Sequence, residues 1–111
     1  MPNHEPLDTV FRALADPTRR AVVARLCTGP SSTSELAHGF DMALPSFMQH
    51  LGVLEECGLV SSAKEGRVRT WALNPEPLDH ASVWLSRQRV VWERRLDQLD
   101  QYLASLAEKE S

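Results

Sequence analysis

The sequence predicts a mainly α-helical fold carrying one small β-hairpin, and three observations predict it. Apolar residues recur at helical spacing along most of the chain. One stretch, LVSSAKEGRVRTWAL (59–73), instead places strand-favouring valine, threonine and tryptophan on either side of a glycine. Near the C-terminus Leu85, Trp92, Leu96, Leu99, Leu103 and Leu106 step at heptad intervals.

A chain of 111 residues is enough for one domain with one core. Its hydrophobic share of 42% and charged share of 24% are ordinary for a globular protein, which argues against a disordered or membrane class. No apolar run approaches the ~20 residues of a membrane span. MPNHEPLD lacks the basic and then apolar segments of a secretory signal, so a cytoplasmic location with no membrane partner is expected. Cys27 and Cys57 form no CxxC, and two cysteines do not make a disulfide scaffold.

Residues 1–5 are expected to be disordered, with the domain over 6–111. In PLDTVFRALA (6–15), Leu7, Val10, Phe11 and Leu14 mark an amphipathic helix. Asp16-Pro17 ends it and starts the next, Asp16 as N-cap and Pro17 at the first helical position. That second helix runs to about Cys27, burying Ala21, Val22, Val23 and Leu26, and Gly29-Pro30 stops it.

The stretch 33–58 reads as two helices meeting at a tight corner, a helix-turn-helix. Ser32-x-x-Glu35 is a capping box for the first, which covers 34–39 and faces inward with Leu36, Ala37 and Phe40. Asp41 stands where the corner calls for a left-handed residue. The second helix starts near Leu44, lacks an N-cap side chain at Ala43, buries Phe47, Leu51 and Leu54, and stops at Gly58. In DNA-binding versions of this unit the exposed face of the second helix touches base edges in the major groove. Here that face is Leu44, Ser46, Met48, Gln49 and Gly52.

The hairpin follows at 59–73, with a turn at Glu65-Gly66 and with Leu59, Trp71 and Leu73 facing the helices. Asn74-Pro75 breaks the strand, and a long helix is expected over 78–107. Its heptad stripe, widened by Trp84 and Val91, needs a partner, so a homodimer is expected with the N-terminal helix joining the interface. The dimer candidates are Leu7, Phe11, Leu85, Trp92, Leu96, Leu99 and Leu103.

Helix, helix, helix-turn-helix, hairpin, helix is the order of a winged helix, here dimerising through terminal helices. The residues themselves resemble the ArsR/SmtB family of bacterial repressors. FRALADPTRRAVVARL (11–26) looks like that family's N-terminal signature, and SELA, PSFMQHLGVLEECGLV and a hairpin ending in WALNP continue it. The resemblance implies a homodimeric repressor whose second helix-turn-helix helices meet successive major grooves of a pseudo-palindromic operator in double-stranded DNA. It also implies hairpin wings that touch backbone or minor groove. His50-Leu51 and Val53-Leu54 match the family's pattern in that helix, whereas Ala43, Leu44 and Met48 replace the polar residues common there. Ser46 and Gln49 remain as polar readers, Gln49 suited to adenine and Leu44 and Met48 to a thymine methyl. The resemblance names no effector.

Several residues carry two readings. His50 either approaches phosphate or the dimer partner, or packs structurally. Lys64, Arg67 and Arg69 on the hairpin either contact DNA or form a solvated tip. Arg19 and Arg20 reach phosphate or make surface salt bridges. Trp84 and Trp92 are interface core or a ligand box, and Cys27 and Cys57 are small buried apolar residues or redox switches. No metal site or cofactor is expected: where the family it resembles commonly places a cysteine pair, SELAHGF has none, and where that family uses acid and histidine pairs on the last helix, Asp79-His80 is followed by no second histidine. No nucleophile–base motif or glycine-rich phosphate loop suggests an enzyme. The net charge of -3 argues mildly against a general nucleic-acid binder, but the arginines are locally clustered. The rival to a DNA-binding repressor is a winged-helix protein-interaction module, motivated by the apolar Leu44 and Met48, or a metal- or thiol-responsive repressor.

Overall fold

The computed structural model describes residues 5–110, in the order α1 (Glu5–Leu14), α2 (Pro17–Leu26), β1 (Ser31–Ser32), α3 (Thr33–Ala37), α4 (Leu44–Glu56), β2 (Val60–Glu65), β3 (Val68–Leu73) and α5 (Glu76–Glu110). Of the N-terminal segment expected to be disordered, residues 1–4 lie outside the described residues, and Glu5 is already helical. The chain divides into two compact units, Met1–Ala81 and Ser82–Ser111.

Local chemistry sets the boundaries in the first unit. The Asp16 carboxylate accepts from the Arg19 backbone N–H at 3.0 Å, and Pro17, with no N–H to leave unpaired, opens α2. The Ser32 hydroxyl accepts from the Glu35 N–H while the Glu35 carboxylate accepts from the Ser32 N–H, closing the expected capping box. α4 has no side-chain cap at Ala43.

These helices bury one core. Ala13, Val22, Val23, Leu26 and Leu36 meet Phe47, Leu51 and Leu54 of α4, and Leu59, Val60 and Trp71 close it from the sheet. In α2, Val22, Val23 and Leu26 are buried as expected, and Ala21 is only half-buried. In α1 the core takes Val10 and Ala13, leaving Leu7 half-buried and Phe11 exposed.

The sheet has three strands, not two. β3 is central, with β2 on one side and the two-residue β1 on the other, all antiparallel. Ser31 and Ser32 pair with Trp71 and Thr70, so the wing is anchored to the start of the helix-turn-helix. The β2–β3 turn falls at Gly66-Arg67, one residue beyond the expected position, because Glu65 pairs with Val68. Gly66 takes φ +64 while Arg67 stays negative, the type II′ pattern that places glycine first.

Two further expectations are corrected. No non-glycine residue, Asp41 included, has positive φ among the described residues. The corner is instead spread over several residues, from His38 in the right-handed helical region to Ala43 in extended backbone, so no single residue must turn left-handed. Cys27 is exposed at the α2 C-cap rather than buried.

α5 begins at Glu76, two residues before the expected start. Pro77 fits a first helical turn, and the Asp79 N–H already donates to the Pro75 carbonyl. In the second unit α5 exposes the whole heptad stripe: Leu85, Trp92, Leu96, Leu99, Leu103 and Leu106, with Trp92 at 63%. No helix among the described residues is long and apolar enough to cross a membrane.

Candidate nucleic-acid interface

α4 divides its faces by helical period. Phe47, Leu51 and Leu54 are 0–1% exposed, and the Phe47 ring lies 5.0 Å from that of Phe40 across the corner. The opposite face carries Leu44, Pro45, Ser46, Met48 and Gln49, all exposed. Gly52 continues this strip, and a Cβ placed on it would meet nothing within 4 Å. Four of the eight residues expected to touch DNA, Leu44, Ser46, Met48 and Gln49, therefore share one open face.

His50 does not. It is half-buried on the inner flank of α4, where its Nδ1 lies 3.2 Å from Arg19 Nη1 and 3.7 Å from Asp16 Oδ2. The two contacts ask opposite things of one nitrogen: a lone pair for the guanidinium, a proton for the carboxylate. The Arg19 contact is within hydrogen-bond range and the Asp16 contact is not, so Nδ1 accepts from Arg19. Arg19 also donates to the carbonyls of Ala13 (2.7 Å) and Arg12 (3.2 Å) at the end of α1, where the last helical carbonyls run short of backbone donors. One guanidinium thus ties α1, α2 and α4 together. His50 takes the structural reading, and Arg19 is occupied inside the protein rather than offered to phosphate. Arg20 is likewise engaged, donating to the Leu14 carbonyl.

The Asp16 carboxyl is held below its usual range chiefly by the Arg19 backbone N–H, which outweighs the opposing effect of burial. A group depressed on folding stabilises the fold above its ordinary range, and that stability is lost as pH falls through the lower folded value. Asp16→Ala should cost about 1 kcal/mol at neutral pH through loss of the cap. Asp16→Asn should keep most of that capping while flattening the acid limb of the stability–pH curve. Urea unfolding at neutral and acid pH checks both, and an Asp16→Ala midpoint equal to the parent's at neutral pH would remove this role.

The wing is joined to α4 by a polar chain. Arg69 Nη1 donates to Ser62 Oγ at 2.8 Å, and Ser62 Oγ donates to Glu55 Oε2 at 2.9 Å. Thr33 Oγ1 accepts from the Trp71 indole at 2.8 Å, fixing the wing root to α3. Asn74 donates to the Gly58 carbonyl and accepts from Ser61 Oγ, closing the strand base. Lys64 and Arg69 stand opposite each other in the ladder, Arg67 lies at the turn, and all three are exposed. Sequence reasoning found these three cations but missed the Ser62–Glu55 link, because nothing in periodicity pairs residues of α4 with a strand.

The cysteines differ. Cys57 is half-buried and its thiol donates to the Thr9 carbonyl at 3.5 Å; burial pushes its pKa up, which disfavours the reactive thiolate. No group of three or more His, Cys, Asp or Glu side chains able to hold a metal ion occurs among the described residues.

Known proteins share this arrangement. A family model described as a helix-turn-helix domain matches residues 14–63. The HTH-type transcriptional regulator Rv2034 of Mycobacterium tuberculosis is 38% identical over 96 residues, covering 86% of this chain and 87% of that protein. The transcriptional repressor SdpR of Bacillus subtilis is 29% identical over 79 residues, covering 71% and 88%. A crystal structure of an ArsR family transcriptional regulator superposes with TM-score 0.76 at 54% identity, covering 80% of this chain and 92% of that one. An ArsR-like transcriptional regulator from Rhodococcus sp. RHA1 gives TM-score 0.73 at 32% identity, covering 91% and 95%. With a helix-turn-helix, an anchored wing and these relatives over most of its length, the chain belongs to the ArsR/SmtB-type family of winged helix-turn-helix transcriptional regulators.

Proposed function

We propose that this regulator is a repressor that binds a pseudo-palindromic operator as a homodimer. Each subunit presents α4 to the major groove and its wing to the neighbouring backbone or minor groove. Repression follows from competition with polymerase for the same duplex. The observation that carries the reading is the open strip of α4, which serves no core, beside a wing whose cations are exposed and one of which, Arg69, is tied through Ser62 to that helix. Glu55 and Glu56 close the C-terminal end of α4, so base contacts fall to its N-terminal half.

The dimer is supported by α5. Leu85, Trp92, Leu99 and Leu103 are each more than half exposed, an apolar stripe that a monomer leaves in water. A second copy covers it in the proposed assembly, with Leu7 and Phe11 of α1 contributing at the same interface. No effector or cofactor enters the proposal.

Salt tests the DNA contact. Binding to duplex DNA should weaken steeply as salt rises, whereas an apolar protein contact would not. Replacing Arg67 and Arg69 together with alanine should weaken all sequences alike and reduce the log–log salt slope by about 0.9 for each phosphate contact removed. An unchanged slope would assign both arginines to a solvated tip. Gln49→Ala should relax base preference at one position per half-site by ~1–3 kcal/mol, read by competition between duplexes differing only there.

A further inference from the structure

We propose that the open face of α4 reads thymine by its C5 methyl group, through Leu44 and Met48. The inference rests on the DNA-binding function proposed above and specifies what that site recognises.

Leu44 and Met48 lie one helical turn apart, so their side chains are neighbours on the surface. They are 55% and 37% exposed, and neither belongs to the core. Their surroundings offer few hydrogen bonds. Pro45 has no N–H, and Ala43 and Gly52 bring no polar side chain. On this strip only Ser46 and Gln49 carry polar side chains. A reading face is normally matched to donors and acceptors, and the C5 methyl of thymine is the one apolar group on the major-groove edges of the four bases. Pressing Leu44 and Met48 against guanine or cytosine edges would leave those polar groups desolvated without partners. Methionine adapts its shape to a methyl at low cost. The open space over Gly52 lets the helix approach closely. The occupant is nucleic acid rather than protein because the wing tied to the same helix, through Glu55–Ser62–Arg69, carries the exposed cations Lys64, Arg67 and Arg69.

The test uses duplexes selected from a random pool by the full-length protein. Each thymine of the selected site is replaced singly by deoxyuridine, which removes the methyl and keeps every hydrogen-bonding group. At one or two positions per half-site, affinity should fall about fourfold per methyl, the value of one buried methyl-sized group. That loss should vanish in Leu44→Ser, Met48→Ser or the double variant, as a thermodynamic cycle requires of a direct contact. Both positions are exposed, so these variants should unfold at the parent's urea midpoint. Silent uracil substitutions throughout a preferred site would overturn methyl reading while leaving DNA recognition intact. A uracil effect that persists in the double variant would also overturn it. Failure to select any preferred duplex would overturn both this inference and the function on which it rests.

Discussion

Trp92→Glu should leave the protein monomeric at micromolar concentration and lower operator affinity by ~10²–10⁴, the gain that a second linked binding unit supplies. Trp92 is 63% exposed within its own chain, so the substitution removes little packing from the subunit. The proposed assembly changes that. Trp92 sits inside the heptad stripe between Leu85 and Leu96, and symmetry brings two copies of any substitution to the interface. Two carboxylates brought into that apolar interface each carry a desolvation cost of several kcal/mol. Sedimentation equilibrium reads the mass and fluorescence anisotropy the affinity, while far-UV circular dichroism should remain that of the parent. A variant that stays dimeric would place the interface elsewhere.

Phe47→Ala should cost ~3–5 kcal/mol, the usual range for deleting a buried phenylalanine. That is a large part of the ~5–15 kcal/mol available to a small domain. At about 4 °C per kcal/mol the melting temperature should fall by roughly 12–20 °C. Phe47 is 1% exposed and meets Phe40 across the corner, so its ring joins the two halves of the helix-turn-helix. Its neighbour Met48 projects to the other face, and Met48→Ala should stay within about 0.5 kcal/mol of the parent. The contrast between adjacent positions, read by urea or thermal unfolding, tests the division of α4 into a packing face and a reading face. Equal costs at both would contradict it.

This division was legible in the sequence because Phe47, Leu51 and Leu54 keep helical spacing and the residues between them do not. The caps were legible for the same local reason: Asp16-Pro17 and Ser32-x-x-Glu35 act within one turn of themselves. What was hidden is long-range. The pairing of Ser31 and Ser32 with β3 joins residues far apart in the chain, and two serines carry no strand signal of their own. The Arg19 junction is similar, since a surface-seeking arginine gives no sign that it will close α1 and hold His50. Gly66 announced a turn but not its register, which the pairing of Glu65 with Val68 decides. Asp41 and Cys27 were misread because a residue's tolerance for a conformation or for burial does not oblige the fold to use it.

Selection of binding sites from random duplexes, followed by footprinting of the bound protein, tests the central claim most directly. Two inverted half-sites centred about 10–10.5 base pairs apart are expected, one for each α4 of a dimer on successive major grooves. An enriched single half-site bound by one subunit, or no enriched sequence at low salt, would contradict it.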